Sequence, residues 1–221
     1  MSVKSRLTGL VAAIVLALSA SLSSPASAQE AAPAALPALD LVLARLAADP
    51  QTPHEYRANV DLHVKLRVFP FIHLTLHGNS SYRRPGIYHF VFRGVPKAAD
   101  KFNELNYDLG DPTKWVDRYE IAYAPNATAT TPIVRLTPKV HGLVKCLDVE
   151  VDMAKGHMTK AVWQRFDGGQ IVLLQTYLPV GGQEMVAKQT ATIDIPHMRA
   201  DVSAEYADFV VGGIVATTPD R

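Results

Sequence analysis

Residues 56 to 77 alternate between apolar and polar side chains almost without interruption. This period of two is typical of a β-strand with one apolar and one polar face. The alternation is broken at Phe69-Pro70-Phe71 and then resumes in phase. Because Pro70 has no N–H to donate to a ladder, the pattern predicts an antiparallel hairpin that bends there. The even positions of both arms would then share one apolar face.

A third strand is predicted from Ile87 to Arg93, again with its apolar side chains at even positions. The predicted helices are too short and too few to cover this widening face, and a large uncovered apolar surface favours a ligand cavity over an ordinary core. The candidate cavity residues are Val60, Leu62, Val64, Leu66, Val68, Leu74, Leu76, Tyr88, Phe90 and Phe92.

Helical spacing is found ahead of the hairpin and again in the middle of the chain. Residues 38 to 48 carry apolar side chains three and four apart and end at Asp49-Pro50, which predicts an amphipathic helix that covers one edge of the apolar face. Between residues 96 and 125 the alternation disappears, and Ala98, Phe102, Leu105 and Leu109 recur at helix-like intervals. We therefore expect a helical lid there.

The end of this mid-chain segment predicts a second short helix, from Thr113 to Tyr119. Asp111 is placed to cap it, and Pro112 suits its first turn. Trp115 lies in this helix and is the candidate lid residue.

The second half of the chain returns to strand patterns separated by glycine-containing turns. The predicted strands are Ile133–Thr137, Leu143–Met153, Lys160–Phe166, Ile171–Leu178, Met185–Ile195 and a short one near Val202. Asp167-Gly168-Gly169 and Gly181-Gly182 stand where hairpins need turns. The fold class predicted is mainly β (α+β): a strongly curved antiparallel sheet or half-open β-barrel of eight to ten strands, with an N-terminal helix and a mid-chain helical lid.

The N-terminus has the features of a secretory signal peptide. Lys4 and Arg6 precede an apolar run that ends near Leu18, and small residues lead to Ala26-Ser27-Ala28. The run is shorter than the roughly 20 residues of a membrane-spanning helix. We expect residues 1–28 to be removed, 29–37 to form a flexible leader, 38–215 a single domain and 216–221 a tail. A periplasmic location is expected.

Charge and cysteine content restrict the possible functional classes further. The formal net charge is +1, and no basic run occurs after the predicted cleavage point, so a nucleic-acid partner is not expected. Cys146 is the only cysteine, which excludes an internal disulfide. We expect a monomer stabilised by its apolar core.

Histidines offer one catalytic hypothesis. A hairpin centred on Pro70 would place His63 opposite His77 on the polar face, about 5 Å apart at Cβ, where two imidazoles could share a metal ion. A closed site needs three or four ligands, and His73 is roughly 13 Å along the strand from His77, so these side chains are better explained as solvated polar residues. No Gly-x-Ser-x-Gly sequence occurs. We expect no enzyme activity, no metal and no cofactor.

Four stretches of the second half resemble the hairpins of the LolA-like family: Ile133–Lys139, Leu147–Asp152, Thr159–Trp163 and Asp167–Gln170. The resemblance implies a half-open β-barrel whose concave apolar face, covered by helices, takes up acyl chains. It further implies a non-enzymatic periplasmic carrier of lipids or acylated proteins that exchanges cargo with an envelope membrane protein. In the classical carriers an arginine on an early strand tethers the lid, but Arg57 and Arg67 fall on the polar face here.

Two other functional classes remain open from the sequence. One is an envelope sensor or protein-interaction module in which the barrel interior is packed shut. The other is a metal-dependent hydrolase built around His63 and His77.

Overall fold

A computed structural model describes residues 35–67, 72–95, 97, 104–196, 198–212 and 214–215. The predicted signal peptide, most of the predicted leader, the C-terminal tail and the candidate cavity residue Val68 lie outside these residues.

The described chain folds into one antiparallel sheet with two short helices. The helices are α1 (Leu39–Ala48) and α2 (Trp115–Arg118), the second preceded by a 3-10 turn at Pro112–Lys114. The strands are β1 (Glu55–Leu66), β2 (His73–Arg83), β3 (Ile87–Arg93), β4 (Glu104–Asp108), β5 (Tyr119–Tyr123), β6 (Ile133–Pro138), β7 (Val144–Asp152), β8 (His157–Arg165), β9 (Gln170–Val180), β10 (Gln183–Ile195), β11 (Met198–Val211) and β12 (Ile214–Val215).

The strand order is β4-β3-β2-β1-β11-β10-β9-β8-β7-β6-β5, and β12 pairs only with the end of β11. All neighbours are consecutive in the chain except β1 and β11, which join the N-terminal hairpin to the C-terminal meander. Among the described strands, β4 and β5 form the two ends of the order, so the sheet is curved but open. The predicted fold class, a half-open antiparallel barrel, is confirmed.

The first hairpin forms with a register that differs from the predicted one. Asp61 pairs with His77, and His63 pairs with Thr75. The predicted pairing of His63 with His77 is therefore wrong: each β1 residue pairs with a β2 residue two positions earlier than predicted, and the Leu66 amide bonds to the Ile72 carbonyl. Because the shift amounts to two positions, the even residues keep a common face.

One row of paired residues traces the inner face across eight neighbouring strands. It consists of Ile121, Leu136, Leu147, Trp163, Ile171, Ile193, Ala200 and Leu66. Every member is apolar, so each of these strands turns its apolar side toward the same interior.

Helix α1 covers only one half of this inner face. Val42 and Leu43 are buried against the inner side chains of β6, β7 and β8, together with Trp115. The inner face of β1 to β3 and β9 to β11 carries a separate buried cluster. The helix thus serves as the cover for the β5–β8 half, and the other half must be filled differently.

Hydrogen bonds and one close backbone approach hold the end of α1 on the β7–β8 turn. The Arg45 guanidinium donates to the carbonyls of Met153 and Ala154, at 3.2 and 2.5 Å. Gly156 in this turn has φ +83°, and a Cβ there would lie 2.8 Å from the Arg45 carbonyl oxygen. Only glycine combines that backbone conformation with such close contact.

The mid-chain segment differs from the predicted helical lid. The sequence predicts a helix that includes Leu105 and Leu109. This prediction is wrong for residues 104–108, which form strand β4 and pair with β3. Glu104-Leu105-Asn106-Tyr107-Asp108 alternates polar and apolar residues, and the free edge of β3 supplies a ladder that favours this period. Ala98 and Phe102 lie outside the described residues.

The short helix that follows is confirmed, including its cap. The Asp111 carboxylate accepts from the Thr113 hydroxyl at 2.7 Å and from the Thr113 amide at 2.9 Å, and these hydrogen bonds lower the pKa of Asp111. The helix ends at Arg118, where the unpredicted strand β5 begins. Trp115 lies beneath α1 with 1% of its surface exposed, and its indole N–H donates to the Leu109 carbonyl at 2.7 Å. It belongs to the packed core.

The predicted strands of the second half are all present within a few residues of their expected bounds. The last one is much longer than predicted: β11 runs for 14 residues. Its inner side chains include Ala200 and Ala204, whose small apolar surface weakens the alternation in the sequence.

No helix within the described residues is long and apolar enough to span a membrane.

Replacing Trp115 by alanine is expected to lower the free energy of unfolding by about 3–5 kcal/mol, because a large buried side chain would leave a cavity beneath α1. Urea denaturation followed by circular dichroism measures this loss. Val116→Ala is the matched control, since Val116 is adjacent and 55% exposed; it should change stability by no more than about 0.5 kcal/mol. Equal effects of the two substitutions would contradict the packing role of Trp115.

Candidate functional site

The half of the inner face that α1 leaves uncovered contains a cavity of about 240 Å³. It lies between β1 and β3 on one side and β8 to β11 on the other. Its lining consists of Leu62, Phe90, Phe92, Trp163, Ile171, Leu173, Gln189, Ala191, Val202 and Ala204. Nine of these side chains are apolar and one, Gln189, carries an amide.

The sequence-predicted cavity residues fall into three groups. Leu62, Phe90 and Phe92 line the cavity. Val60 and Leu76 are buried at 1% and 2% exposure in the surrounding core. The remaining described residues lie toward either end of the face, namely Tyr88 in an aromatic cluster and the half-buried Val64, Leu66 and Leu74 near the first hairpin loop.

Sequence reasoning did not include the β8 to β11 residues of the lining. Ile171 and Leu173 lie in predicted strands with apolar alternation, which was a usable signal. What the sequence does not show is that β11 pairs with β1 and so brings these strands opposite β3. Ala191 and Ala204 are small, and their contribution is to leave space open.

Aromatic rings close the interior on the side of the cavity away from the first hairpin loop. The Tyr56 and Tyr82 rings stack at 4.9 Å between centroids, Tyr82 and Tyr88 are also 4.9 Å apart, and Phe209 lies 5.8 Å from Tyr56. Burial raises the pKa of Tyr56, Tyr82 and Tyr88. These tyrosines therefore remain neutral and pack as a plug.

A chain of buried polar groups crosses the interior between this plug and the cavity. The Tyr206 hydroxyl donates to the Gln189 amide oxygen, and the Gln189 amide nitrogen donates to the Gln175 oxygen. The Gln175 nitrogen then donates to the Met158 carbonyl and to the Tyr177 hydroxyl, both at 3.1 Å. Burial raises the pKa of Tyr206, so its hydroxyl keeps the proton that it donates.

A second polar cluster lies where α1 meets the sheet, beside a small cavity of about 50 Å³. The His157 ring, 1% exposed, lies between two carboxylates: Nε2 is 3.2 Å from Asp49 Oδ1, and Nδ1 is 3.4 Å from Glu184 Oε2. Its ring also stacks on Tyr177 at 4.0 Å, and Lys155 Nζ pairs with the other Glu184 oxygen at 2.6 Å. The cluster joins the end of α1 to β8 and β10.

Within the described residues, no group of three or more His, Cys, Asp or Glu side chains is arranged to hold a metal ion. The His157 cluster fails because its carboxylates approach opposite nitrogens of the ring, so they do not converge on one point. His63 and His77 bond instead to Thr75 and Asp61 on the outer face, at 3.1 and 2.6 Å. These contacts fit the interpretation of both histidines as solvated polar residues.

The cysteine offers no nucleophile either. Cys146 is 4% exposed, and burial raises the pKa of its thiol, which disfavours the thiolate that reacts. Among the described residues, the arrangement provides an apolar cavity with one amide side chain, that of Gln189.

Comparison with solved structures identifies the fold. A DUF1329 family protein from Desulfovibrio piger aligns with a TM-score of 0.56 at 10% identity, covering 78% of this chain and 91% of that protein. A domain assigned as a candidate outer membrane lipoprotein-sorting protein from Vibrio parahaemolyticus aligns with a TM-score of 0.53 at 9% identity, over 82% and 93% of the two chains.

A LolA superfamily protein from Nitrosomonas europaea gives a TM-score of 0.51 at 9% identity, over 80% and 94% of the two chains. The described chain therefore has a LolA-like fold, as the sequence resemblance implied. No protein-family model matches the sequence, and no curated protein does so.

We expect His157→Ala to lower the free energy of unfolding by about 3–5 kcal/mol, because it leaves two partly buried carboxylates without the ring between them. The matched control is His77→Ala, which removes an exposed pair with Asp61 and should cost less than about 1 kcal/mol. Guanidinium denaturation at pH 7 measures both. A His157 variant as stable as the His77 variant would show that the cluster contributes nothing to the docking of α1.

Proposed function

We propose that this protein is a non-enzymatic binder and carrier of lipids or acyl chains in the bacterial periplasm. The observation that carries the proposal is the 240 Å³ cavity, lined by nine apolar side chains and left uncovered by α1. Proteins do not ordinarily retain open apolar space of this size without a ligand, because each unfilled volume forfeits packing contacts.

The energetics suit an acyl chain. Each buried methylene contributes about 0.8 kcal/mol, so a chain with about eight buried methylenes gains about 6 kcal/mol of transfer free energy. Pockets for drug-sized ligands measure about 300–1,000 Å³, and a cavity of 240 Å³ therefore suits one short chain rather than a complete two-chain phospholipid. No charged recognition motif is required for such binding.

The location and the carrier role rest on the sequence features and on the fold. The Lys4 to Ala28 segment has the pattern of an export signal, and one protein of the same fold is a candidate in outer membrane lipoprotein sorting. A LolA-like fold with an accessible apolar interior supports the transfer of a hydrophobic cargo between envelope membranes. The cargo donor and acceptor would then be membrane proteins of the envelope.

The accessible cavity also counts against the alternative of an interaction module with a closed interior. In that alternative, protein side chains would fill the uncovered half, as they fill the half beneath α1.

Native mass spectrometry of the exported protein, purified from its own host's envelope, tests the proposal directly. Organic extraction of the same sample should release a single-chain lipid or an acylated species that matches the added mass. A ligand-free mass that persists after incubation with phospholipid, lysophospholipid and free fatty acid would overturn the proposal.

Filling the cavity should weaken binding without unfolding the protein. Ala191→Phe places a ring in the cavity, and we expect the Kd for the apolar fluorophore N-phenyl-1-naphthylamine to rise at least about tenfold, which corresponds to the loss of about two buried methylenes. Fluorescence titration measures the Kd. Ala207→Phe is the matched control, since Ala207 is exposed and pairs with Asn59 outside the cavity; it should bind as the unmodified protein does. Unchanged binding by a folded Ala191→Phe protein would place the ligand elsewhere.

A further inference from the structure

In the part of the chain that the structure describes, the polar chain across the interior leaves one Gln189 N–H without an acceptor, and Gln189 is the one amide side chain of the cavity lining. Gln189 is 9% exposed and lines the cavity, whereas Gln175 and Tyr177 line the smaller space beyond. An amide in an otherwise apolar cavity either has all its hydrogen bonds made by neighbouring protein groups or can bond to a ligand.

The direction of the chain fixes which atom of Gln189 is available. The Met158 carbonyl can only accept, so the Gln175 group bonded to it at 3.1 Å is the amide nitrogen. The Gln175 oxygen must then face Gln189, which presents its own nitrogen there. The Gln189 oxygen is left to accept from the Tyr206 hydroxyl.

The two amides differ in the acceptors that lie near their nitrogens. Gln175 Nε2 has two acceptors within hydrogen-bond distance, the Met158 carbonyl and the Tyr177 hydroxyl, both at 3.1 Å. Gln189 uses one N–H on Gln175, and its second N–H has no partner in the part of the chain that the structure describes. A buried N–H without an acceptor is unfavourable, and an acceptor on a ligand would satisfy it.

Register places this donor near the closed end of the cavity. Leu62, Ala204, Gln189 and Gln175 form one row of paired residues, and the next row toward the first hairpin loop contains Val202, Ala191 and Leu173. On the side of Gln189 away from that loop stands Tyr206, and further along the strands lie Tyr56 and Tyr82 of the aromatic plug. A ligand group that reaches Gln189 must therefore have passed the apolar rows first.

We infer that the cavity selects a free single-chain lipid with a carbonyl acceptor, such as a fatty acid or its ester, and binds it with the carbonyl at Gln189 and the hydrocarbon directed toward the first hairpin loop. This inference rests on the proposed function and narrows it. An acyl chain attached to a protein has its carbonyl at the attachment point, so it would enter with its methyl end first and leave the Gln189 donor unsatisfied. The free lipid is thereby favoured over a lipoprotein acyl chain.

The test compares probes that share a ten-carbon chain and differ at the head. Decanoic acid and methyl decanoate carry an acceptor, whereas decylammonium has only donors. Displacement of N-phenyl-1-naphthylamine from the full chain should show decanoic acid and methyl decanoate binding about tenfold or more tightly than decylammonium. An N-decanoyl tripeptide represents the protein-linked source and should bind more weakly than decanoic acid.

Gln189→Leu removes the donor at similar volume and should eliminate the preference for both acceptor probes while leaving the affinity for decylammonium unchanged. Thr190→Val, on the opposite face of the same strand, is the control and should keep the preference. Should Gln189→Leu fail to fold, Gln189→Asn is the second variant. It shortens the side chain by one methylene, which moves the amide away from the ligand, and it is expected to lose the preference as well. Circular dichroism establishes folding in each case.

Four results would overturn the inference. A folded Gln189 variant with the original preference would exclude contact between Gln189 and the carbonyl. An N-decanoyl tripeptide that binds as tightly as decanoic acid, with the same loss in Gln189→Leu, would exclude carbonyl-first entry. Binding of all ten-carbon probes with equal affinity would leave the proposed function intact but exclude this selectivity, whereas binding of none would exclude both.

Discussion

The pairing of β1 with β11 is the constraint on which the rest of the structure depends. These two strands are the one non-consecutive neighbour pair in the sheet order of the described residues, and together they share nine paired positions from Arg57 to Leu66. Without this ladder the first three strands and the meander from β6 to β11 would be separate sheets, each with an exposed apolar face. With it, β3 is brought opposite β8 and β9, and the cavity lies between them. The cavity is thus a consequence of one long-range pairing, whose loop-closure entropy the apolar interior must offset.

The sequence predicted the parts of this arrangement that depend on the alternation of apolar and polar residues within one strand. The inner face was correctly predicted to include Val60, Leu62 and Leu76, because this alternation defines the two faces of a strand without knowledge of its neighbours. The same reasoning failed at Leu105, a residue of a short strand that stands at helical intervals from Phe102 and Leu109 in the sequence, and at β11, where alanines conceal the alternation. Gln189 could not be singled out, because an amide at an inner position acquires meaning only from its neighbours Gln175 and Tyr206, which reach it through strand pairing.

The two halves of the inner face use the same apolar strand pattern in different ways. Under α1 the sheet is filled by protein: Val42, Leu43 and Trp115 occupy the space above β6 to β8, and Arg45 and the His157 cluster hold the helix in place. Opposite, small side chains such as Ala191 and Ala204 leave the space open. One half of the face is thus filled by a docked helix, and the other carries its own buried cluster beside an open cavity.

A buried polar chain inside an apolar interior needs a reason, because a continuous apolar core of the same shape would fold at least as well. The polar groups from Tyr206 to Met158 separate the 240 Å³ cavity from the 50 Å³ space beneath α1, so they would limit how far an acyl chain enters. Among the described residues, they also leave one Gln189 N–H without an acceptor at that limit. A barrier made of leucine would stop a hydrocarbon chain equally well, but it would not distinguish a carbonyl head from a methyl end. The amide chain can do both, and this combination is the physical argument for selectivity in a site whose other contacts are apolar.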